Sequence, residues 1–242
     1  MQLSLRLTAI AEMVTEGNRL VDVGCDHGYL PVYLVQNKKI PGAIAMDVRP
    51  GPLSRAREHI EQFGLLEYVE TRLSDGLEAL SSGEGDTLVI AGMGGPLMEG
   101  ILTRGGEVTE SFQEMILQPQ SDIPHFRKYI LERGWSIVEE NMIFEDGKYY
   151  PMMKVVKEAE NCVSGKSVSG EPYSKMEEWF GRFLLKEKHP VLKNYLLREL
   201  RIKNEILEKL RMSSGETAQN RIAEIEEEKQ LVEAALSLYE NS

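Results

Sequence analysis

The segment 21–29 combines carboxylates and glycines at a spacing that suits ligand binding. It reads Val-Asp-Val-Gly-Cys-Asp-His-Gly-Tyr, and its glycines allow a tight turn with close backbone approach to a bound molecule. A nicotinamide dinucleotide site needs the order Gly-x-Gly-x-x-Gly, but Asp26 and Tyr29 occupy the second and third glycine positions. The acidic-x-Gly-x-x-x-Gly pattern that remains consists of Asp22, Gly24, Asp26 and Gly28. Carboxylates there are tolerated beside a ligand that is positively charged and lacks a pyrophosphate.

Asp47 and Asp75 end the next two predicted strands, where a nucleoside would need polar partners. Asp47 follows Gly24 by 23 residues, and a carboxylate there accepts both hydrogen bonds of a ribose diol. The Asp75-Gly76 pair offers a contact to an adenine amino group with close backbone approach. Each aspartate alone is equally an ordinary turn residue or helix N-cap. Together with the first segment, however, they resemble the cofactor site of class I S-adenosylmethionine-dependent methyltransferases.

The fourth predicted strand ends in a glycine-rich loop, Gly92-Met93-Gly94-Gly95. Enzymes that methylate exocyclic amino groups of bases usually carry Asn/Asp-Pro-Pro-aromatic there, and no such tetrapeptide occurs. A loop that offers open space and backbone polar groups suits a flat base with an available ring-nitrogen lone pair, such as adenine N1. The alternative is a flexible turn without substrate contact. No cysteine nucleophile lies near this strand, and Cys25 is interpreted as a packing residue.

The elements that must position these residues alternate between strands and helices. Short apolar runs predict strands at 19–24, 43–48, 68–76, 86–94 and 114–120. Three- and four-residue apolar spacing and turn signals predict helices at 3–14, 29–37, 52–64 and 122–133. Two extended runs around Asp146-Gly147 predict a hairpin within 136–157. Residues 1–157 should therefore form an α/β domain, a doubly wound and mostly parallel sheet with one antiparallel edge strand.

The remaining chain is predicted to be a linker followed by a helical hairpin. Residues 158–174 are polar and rich in Ser and Gly, which is typical of a linker. Residues 175–242 contain two leucine- and isoleucine-rich amphipathic stretches separated by Ser213-Ser214-Gly215, which predicts an antiparallel coiled coil. Within it, 175–211 holds ten basic and six acidic side chains, a net charge of +4. That segment hints at an anionic partner, although a solvated helix face explains it equally simply.

Composition restricts the class of protein further. The 242 residues carry 28 basic and 39 acidic side chains, a formal charge of −11, so strong nucleic-acid binding is not evident from total charge. No apolar run approaches the ~20 residues that cross a bilayer, and the first dozen residues lack a signal-peptide pattern. Cys25 and Cys162 form neither a CxxC pair nor a zinc-ligand cluster. We expect a cytoplasmic protein with no metal and no membrane association.

Several long blocks of the sequence are similar to the TrmK family of bacterial tRNA methyltransferases. The blocks are DVGCDHGYLP at 22–31, AMDVRPGPL at 45–53, SDG at 74–76, IAGMGGPLM at 90–98 and ILQPQ at 116–120. LSLRL at 3–7 and FGRFLLKEKHP at 180–190 fit as well, although Arg182 stands where a proline is expected. The resemblance implies a Rossmann-like catalytic domain, methylation of tRNA adenine 22 at N1, and a C-terminal coiled coil that helps hold tRNA.

The resemblance also implies roles for individual residues. The cofactor would be bound by Asp22, Gly24, Asp26, Gly28, Asp47, Asp75, Gly76 and Gly92. His27 and Tyr29 would stack on or orient the base, beside a pocket lined by Met93, Gly94 and Gly95; alternatively, His27 contacts only cofactor or backbone and Tyr29 packs internally. Arg6 would reach the cofactor carboxylate or a phosphate, or solvate its helix. The residues assigned to tRNA are Arg6, Lys193, Arg198 and Arg201.

The implied reaction is in-line displacement by a monomeric enzyme, without a covalent intermediate or metal. Two other functions remain open from the sequence. One is methylation of a small molecule, which fits the acidic charge but not a separate basic hairpin. The other is a non-catalytic cofactor-binding module that recruits a protein partner.

Overall fold

The chain divides into two compact units, Met1–Pro172 and Tyr173–Ser242. The structure, a computed structural model, describes residues 1–157, 172–212 and 216–240. Most of the predicted linker, residues 158–171, lies outside the described residues, so the linker stays a prediction. Cys162 and the predicted turn at 213–215 also lie outside them.

A single mixed sheet organises the first unit. Its strands are β1 (Leu20–Val23), β2 (Ala43–Asp47), β3 (Val69–Leu73), β4 (Thr87–Met93), β5 (Glu114–Pro119), β6 (Trp135–Glu145) and β7 (Lys148–Lys157). The spatial order is β3-β2-β1-β4-β5-β7-β6, and the first five strands pair in parallel. Strands β1, β2 and β5 are buried along their whole length, as in sheets whose two faces are both covered. The predicted Rossmann-like architecture is confirmed.

Six helices connect or flank these strands. They are α1 (Leu5–Met13), α2 (Tyr29–Gln36), α3 (Pro50–Gln62), α4 (Gly95–Gly105), α5 (Glu107–Glu110) and α6 (Ile123–Glu132). The sequence did not predict α4 or α5. Glycines at 95, 100 and 105 interrupt the helical pattern of α4, because glycine weakens a helix intrinsically. Burial of Met98, Ile101 and Leu102 on one face supplies the packing that overrides this propensity.

The β6–β7 hairpin lies at the edge of the sheet, but the strand that runs antiparallel to the others is not the outermost one, contrary to the sequence prediction. The turn at Asp146-Gly147 joins β6 to β7 as predicted, with φ of +49° and +76°. The strand that runs against the others is β7, which lies between β5 and β6 rather than at the edge. Since β7 is antiparallel to β5, its first residues lie beside the carboxyl end of β5. The hairpin therefore brings Glu145 and Tyr150 toward the carboxyl ends of the parallel strands, where ligands bind in such sheets.

Both ends of α1 are fixed by long-range polar contacts. At its start, the Glu145 carboxylate accepts hydrogen bonds from the backbone N–H of Leu5 (2.6 Å) and of Arg6 (3.4 Å). At its end, Lys39 Nζ donates to the carbonyls of Ala11 and Glu12 at 2.7 and 2.9 Å. These partners satisfy helix-terminal groups that have no intrahelical bond. Because α1 is held at both ends, the side chain of Arg6 is positioned by the tertiary structure.

The second unit consists of helices. They are α7 (Lys175–Phe180), α8 (Arg182–Lys186), α9 (Pro190–Arg211) and α10 (Glu216–Ser237). A capping box between Ser174 and Glu177 starts α7. Leu192, Leu196 and Leu207 are buried on α9, and Ile225, Val232 and Ala235 on α10. Lys203 of α9, almost fully buried, pairs with Glu228 of α10 at 2.7 Å. The predicted helical hairpin is present, and coiled-coil geometry stays a prediction.

The departure from the family pattern at position 182 has a local structural role. Arg182 is almost fully buried, and its Nε donates to Glu177 Oε1 at 2.7 Å. Its guanidinium carbon lies 3.9 Å from the ring centroid of Tyr173. This arginine therefore joins the start of α8 to the segment before α7 within the second unit.

Candidate active site

The carboxyl ends of the first three strands lie side by side at one end of the parallel sheet. Asp22 and Asp47 are both 6% exposed there. The N–H groups of Gly24 and Cys25 donate to the Met46 carbonyl at 2.8 and 3.0 Å, which joins the turn after β1 to β2. The Ser74 N–H donates to the Asp47 carbonyl at 3.0 Å, which joins the end of β3. The structure thus brings together the three acidic strand ends that the sequence predicted.

The electrostatics of this end of the sheet centre on Asp22. Burial raises its pKa to about 7, the neighbouring Asp47 carboxylate adds to that rise, and Arg6 opposes it. None of the described residues donates a hydrogen bond to the Asp22 carboxylate. A buried carboxyl group without donors is costly, so this position fits a bound ligand that supplies positive charge. Burial and the same carboxylates raise the pKa of the Cys25 thiol, which keeps the thiol protonated.

The turn after β1 requires its glycines for two different reasons. Gly24 has φ +79°, and a Cβ atom there would collide with the end of the Met93 side chain. Gly28 has φ +67° and lies against Ala56 of α3, where a Cβ would come within 3.3 Å of the Ala56 Cβ. Met93 therefore sits over the Gly24 turn and joins the β4 loop to the cofactor motif. Asp26, between the glycines, is exposed and has φ +50°.

The loop at the end of β4 is held from beneath by a buried glutamine. Gln118 Oε1 accepts hydrogen bonds from the Gly92 N–H at 3.1 Å and from Arg6 Nη1 at 3.3 Å. Gly92 itself is exposed and has φ +78°. Gly94 and Gly95 pack against Ser121, whose carbonyl accepts from the Gly95 N–H at 3.1 Å. The loop is thus an ordered turn held by Gln118 and Ser121, and its contact with a flat substrate stays a prediction.

Arg6 lies inside this site rather than on the outer surface of α1. Its guanidinium contacts Gln118, and a Cβ on Gly92 would come within 3.4 Å of its Nη1. The ring of Tyr150 lies beneath it, 5.4 Å from the guanidinium carbon to the centroid. The alternative prediction, that Arg6 only solvates the surface of its helix, does not agree with these contacts. The structure places the guanidinium of Arg6 near Asp22 and Gly92, among the residues predicted to bind the cofactor.

His27 and Tyr29 form the rim beside the Gly24 turn. Their rings stack with centroids 5.3 Å apart and planes 26° apart. Tyr29 is 41% exposed, so the alternative in which it packs between helix and sheet does not hold. The edge of His59 on α3 extends this aromatic group, with a centroid distance of 4.9 Å to Tyr29. The His59 Nδ1–H, 3.1 Å from the His27 carbonyl oxygen, fixes this arrangement.

Asp75 and Gly76 lie at the end of β3, close to α4. The Asp75 carboxylate is exposed and pairs with Arg104 at 3.3 Å. Gly76 has φ +58°, and a Cβ there would come within 3.0 Å of the Ile101 side chain. Ser74 stabilises the turn, since its hydroxyl donates to the Gly76 carbonyl at 3.0 Å. Gly76 is therefore packed tightly against α4 and the Asp75 carboxylate already has a partner, and the contact of this segment with adenine stays a prediction.

Comparisons with known proteins agree with this geometry. Residues 3–153 match a family model described as a methyltransferase domain. The curated tRNA (adenine(22)-N(1))-methyltransferase of Bacillus subtilis is 35% identical over 224 residues, 91% of this chain and 90% of that protein. The chain belongs to the TrmK family.

Solved structures of TrmK proteins share the fold across nearly the whole chain. The B. subtilis m1A22 tRNA methyltransferase TrmK is 31% identical with a TM-score of 0.85, covering 97% of this chain and 99% of that one. The Streptococcus pneumoniae protein Sp1610, crystallised with S-adenosyl-L-methionine, is 31% identical with a TM-score of 0.82. That match covers 97% of this chain and 100% of that one. The fold is therefore that of TrmK proteins across nearly the whole chain.

The basic residues assigned to tRNA in the second unit do not share one face of α9. At roughly 100° per residue, Lys193 and Arg198 are about 140° apart around the helix. Lys193 Nζ lies 5.9 Å from the centroid of the Tyr239 ring on the adjoining segment. Arg198 and Arg201 are exposed, and Arg201 has a weak pair with Glu205 at 3.9 Å. Arg198 and Arg201 are about 60° apart around the helix, so these two exposed arginines share a face that Lys193 does not share with Arg198.

Several residues of the TrmK site were missed by sequence reasoning. Gln118, Gln120, Glu145 and Tyr150 received no role, although Gln118 and Gln120 belong to a block quoted for the family. The available signal was polar: Gln118 interrupts an apolar run at a position that the structure buries completely. A buried glutamine needs hydrogen-bond partners, which predicts a fixed contact without saying to what.

Two further findings concern metal-ligand clusters and membrane-spanning helices. Among residues 1–157, 172–212 and 216–240, no group of three or more His, Cys, Asp or Glu side chains is placed to hold a metal ion. In the same residues, no helix combines the length and apolar character needed to span a bilayer.

Proposed function

We propose that this chain transfers a methyl group from S-adenosylmethionine to N1 of adenine 22 in tRNA. The observation that carries the proposal is the buried Asp22–Asp47 pair beside the Gly24 turn, in a chain of the TrmK family. Asp22 has no hydrogen-bond donor among the described residues, while its pKa is raised by burial and by Asp47. A ligand that brings an ammonium group and a ribose diol satisfies both carboxylates. The S. pneumoniae relative crystallised with S-adenosyl-L-methionine supports the same ligand here.

The side chains at the carboxyl ends of the strands suit different parts of this cofactor. Asp47 at the end of β2 would accept the ribose hydroxyls, and Asp22 would face the methionine ammonium group. Arg6 would neutralise the methionine carboxylate, because it is the guanidinium next to Gly92 and Asp22. The Asp75-Gly76 turn would contact adenine through its backbone, since the Asp75 carboxylate pairs with Arg104. Val48 follows Asp47 and exposes an apolar side chain that can lie against the adenine ring.

The methyl transfer itself places few chemical demands on the protein. When bound, S-adenosylmethionine supplies a sulfonium methyl group; the N1–carbon bond forms as the sulfur–carbon bond breaks, and sulfur keeps the electron pair. Adenine N1 has an in-plane lone pair, so no proton must be removed before attack. The chain has to align the two reactants at about 3–3.5 Å and exclude water. The Gly92-to-Gly95 loop, whose Met93 lies over the Gly24 turn, would accommodate the base, and His27 and Tyr29 would stack on or orient it.

The second unit is proposed to assist tRNA binding. Arg198 and Arg201 are exposed on α9, and a basic segment suits a phosphate backbone. Reversing both charges should weaken tRNA binding and reduce its salt dependence; unchanged affinity would assign the hairpin a structural or protein-binding role. We further propose a cytoplasmic location, because the substrate is a cytoplasmic RNA, and a monomeric state stays a prediction from the sequence.

The test is incubation of the protein with methyl-labelled S-adenosylmethionine and unmodified bacterial tRNA, followed by nucleoside mass spectrometry. The expected product is N1-methyladenosine at one position of the D-arm region. The matched control is the same tRNA with adenine 22 replaced by guanine, which should remain unlabelled. If the protein binds cofactor but labels no nucleoside, the proposal fails. A small-molecule methyltransferase or a non-catalytic cofactor-binding module would then be the remaining explanations.

A further inference from the structure

A continuous aromatic and basic surface leads away from the active site onto α3. We call it the α3 face and define it as His27, Tyr29, Arg55 and His59. The His27 and Tyr29 rings stack on each other, and His59 meets the edge of Tyr29 at 4.9 Å. His59 in turn contacts Phe63 at 4.9 Å, which extends the row along the helix. Four ring systems therefore run from the rim of the cofactor site toward the end of α3.

Positive charge accompanies these rings. Arg55 lies one helical turn before His59, so their side chains leave the same side of α3. The Arg55 side chain is 51% exposed, and the nearest carboxylate, Asp26, is 4.0 Å away and itself exposed. Such a pair holds an arginine only weakly. The same Asp26 carboxylate lies 3.7 Å from His27 Nε2, so Arg55 supplies an exposed guanidinium beside the rings with one exposed carboxylate next to it.

Single-stranded nucleic acid is the ligand class that matches this combination. Bases stack on aromatic side chains irrespective of sequence, and arginine contacts the phosphates between them. A base that is turned out of its stack into an active site also leaves its neighbours without a stacking partner. Aromatic side chains adjacent to the pocket can replace that partner.

We propose that Arg55 and His59 of the α3 face bind the nucleotides flanking the target adenine, in unstacked form, next to the His27 and Tyr29 rings that orient the target base, and so form part of the RNA-binding surface within the catalytic unit itself. This inference rests on the proposed function, since it takes the base-bearing substrate to be RNA. It adds a binding surface that is separate from the basic residues of the second unit. Its contribution falls on substrate binding, because neither Arg55 nor His59 is assigned a contact with cofactor or with the reacting atoms.

Two arginines of α3 provide a matched test. Arg57 is exposed like Arg55 but lies about 200° around the helix, where it lines a groove with Tyr68 and Glu70. Arg55→Gln and Arg57→Gln remove the same charge from the same helix. The salt dependence of tRNA binding should lose about 0.7 from its logarithmic slope in Arg55→Gln, the value for one single-strand phosphate contact. It should be unchanged in Arg57→Gln, and cofactor affinity should be unchanged in both.

The rings are tested at His59 with a conservative partner. His59→Ala removes the ring and should raise the KM for tRNA by about tenfold with little change in kcat. His59→Phe loses the same hydrogen bond to the His27 carbonyl but keeps a ring, and should restore most of the affinity. A purely structural role for that hydrogen bond would instead make the two variants equally defective.

The outcomes separate this inference from the function on which it rests. If wild-type protein methylates no tRNA, the proposed function fails first and the α3 face loses its substrate. If wild-type protein is active but Arg55→Gln and Arg57→Gln behave alike, the α3 face does not bind RNA. If Arg55→Gln alone weakens binding and His59→Phe rescues the loss seen in His59→Ala, the inference holds.

Discussion

Two buried carboxylates lie at opposite ends of the parallel strands and have opposite environments. Asp22 lies near the carboxyl end of β1, where no described residue donates a hydrogen bond to its carboxylate. Glu114 begins β5 at the other end and accepts hydrogen bonds from the Thr15 backbone and hydroxyl, the Thr87 hydroxyl and Lys154, at 2.6–2.8 Å. Burial raises the pKa of Asp22 to about 7. Burial alone would raise the pKa of Glu114 too, but hydrogen bonds from Lys154 and Thr15 outweigh it and lower the pKa.

The difference separates Glu114, whose hydrogen-bond partners all lie within the protein, from Asp22, whose partner we propose to be a ligand. Glu114 has its full set of partners within the protein, so it stabilises the fold by joining the segment after α1 to β4, β5 and β7. Asp22 is desolvated with only the nearby charge of Arg6 to offset the cost, which raises the free energy of the cofactor-free protein. A cationic ligand recovers that free energy on binding. Equal burial therefore says little about function until the partners are counted.

The largest effect is expected from removing the satisfied carboxylate. Glu114→Leu leaves Lys154 without its carboxylate partner in a mostly buried position, which should lower the free energy of unfolding by about 3–5 kcal/mol. Urea unfolding of cofactor-free protein at neutral pH measures this loss. Asp22→Asn is the matched control at the other end of the strands and should leave stability unchanged or raised. Similar losses in the two variants would contradict the comparison.

Asp47→Ala should produce the next largest effect, on cofactor binding. Loss of two hydrogen bonds from the ribose to a charged acceptor weakens S-adenosylmethionine binding by about 100-fold. Isothermal titration calorimetry gives the affinity, and circular dichroism should show an intact fold. Asp75→Ala is the control, with a smaller loss because that carboxylate is exposed and paired with Arg104. Unchanged affinity in Asp47→Ala would remove Asp47 from the site.

Asp22 should make both stability and cofactor affinity depend on pH, in opposite directions. The unfolded chain ionises Asp22 near its ordinary pKa of 3.8 and the folded, cofactor-free chain near 7. Between these values the folded state holds the extra proton, so the contribution of Asp22 to stability is complete below pH 4 and declines as pH rises to 7. Glu114 behaves oppositely: its contribution is present above its ordinary pKa of 4.5 and is lost as pH falls below that value.

Cofactor affinity should rise by about tenfold between pH 6 and pH 8, because only ionised Asp22 attracts the ammonium group. Calorimetric titrations across this range provide the measurement. Asp22→Asn should bind more weakly and with a flat profile. Asp47→Ala should shift the remaining profile to lower pH, since it removes the carboxylate that helps raise the pKa of Asp22. A pH-dependent profile that survives in Asp22→Asn would assign the titration to another group.

The smallest effect is expected at Gln118, which positions the β4 loop without contacting the reacting atoms. Gln118→Leu loses hydrogen bonds to the Gly92 N–H and to Arg6, and we expect kcat to fall by about fivefold, the loss of roughly one hydrogen bond. Cofactor affinity should change less than kcat. Gln113→Leu, just before the amino end of β5, is the control and should retain full activity. A drop in stability without a drop in kcat would make Gln118 a structural residue only.

The sequence predicted the carboxyl ends of the first three strands well because the signals there are local. A buried strand followed by glycine, or by Asp-Gly, marks the point where the chain turns, and parallel strands place all such points at one end of the sheet. Asp22, Asp47 and Asp75 could therefore be assigned to one site from their positions along the chain. The helix after the fourth strand was missed for the same reason, because its glycines gave a local signal that tertiary packing overrode.

The other half of the site was decided by the tertiary structure. Arg6 and Gln118 are 112 residues apart in sequence, and Glu145 reaches Arg6 across 139. No local pattern specifies these pairs, because they depend on insertion of β7 beside β5 and on the anchoring of α1 at both ends. The sequence by itself thus determined which strand ends carry carboxylates and where the backbone turns. Only the packing of β7 and α1 against the other strands decided which distant side chains satisfy the polar groups at those ends, and that no described residue donates a hydrogen bond to the Asp22 carboxylate.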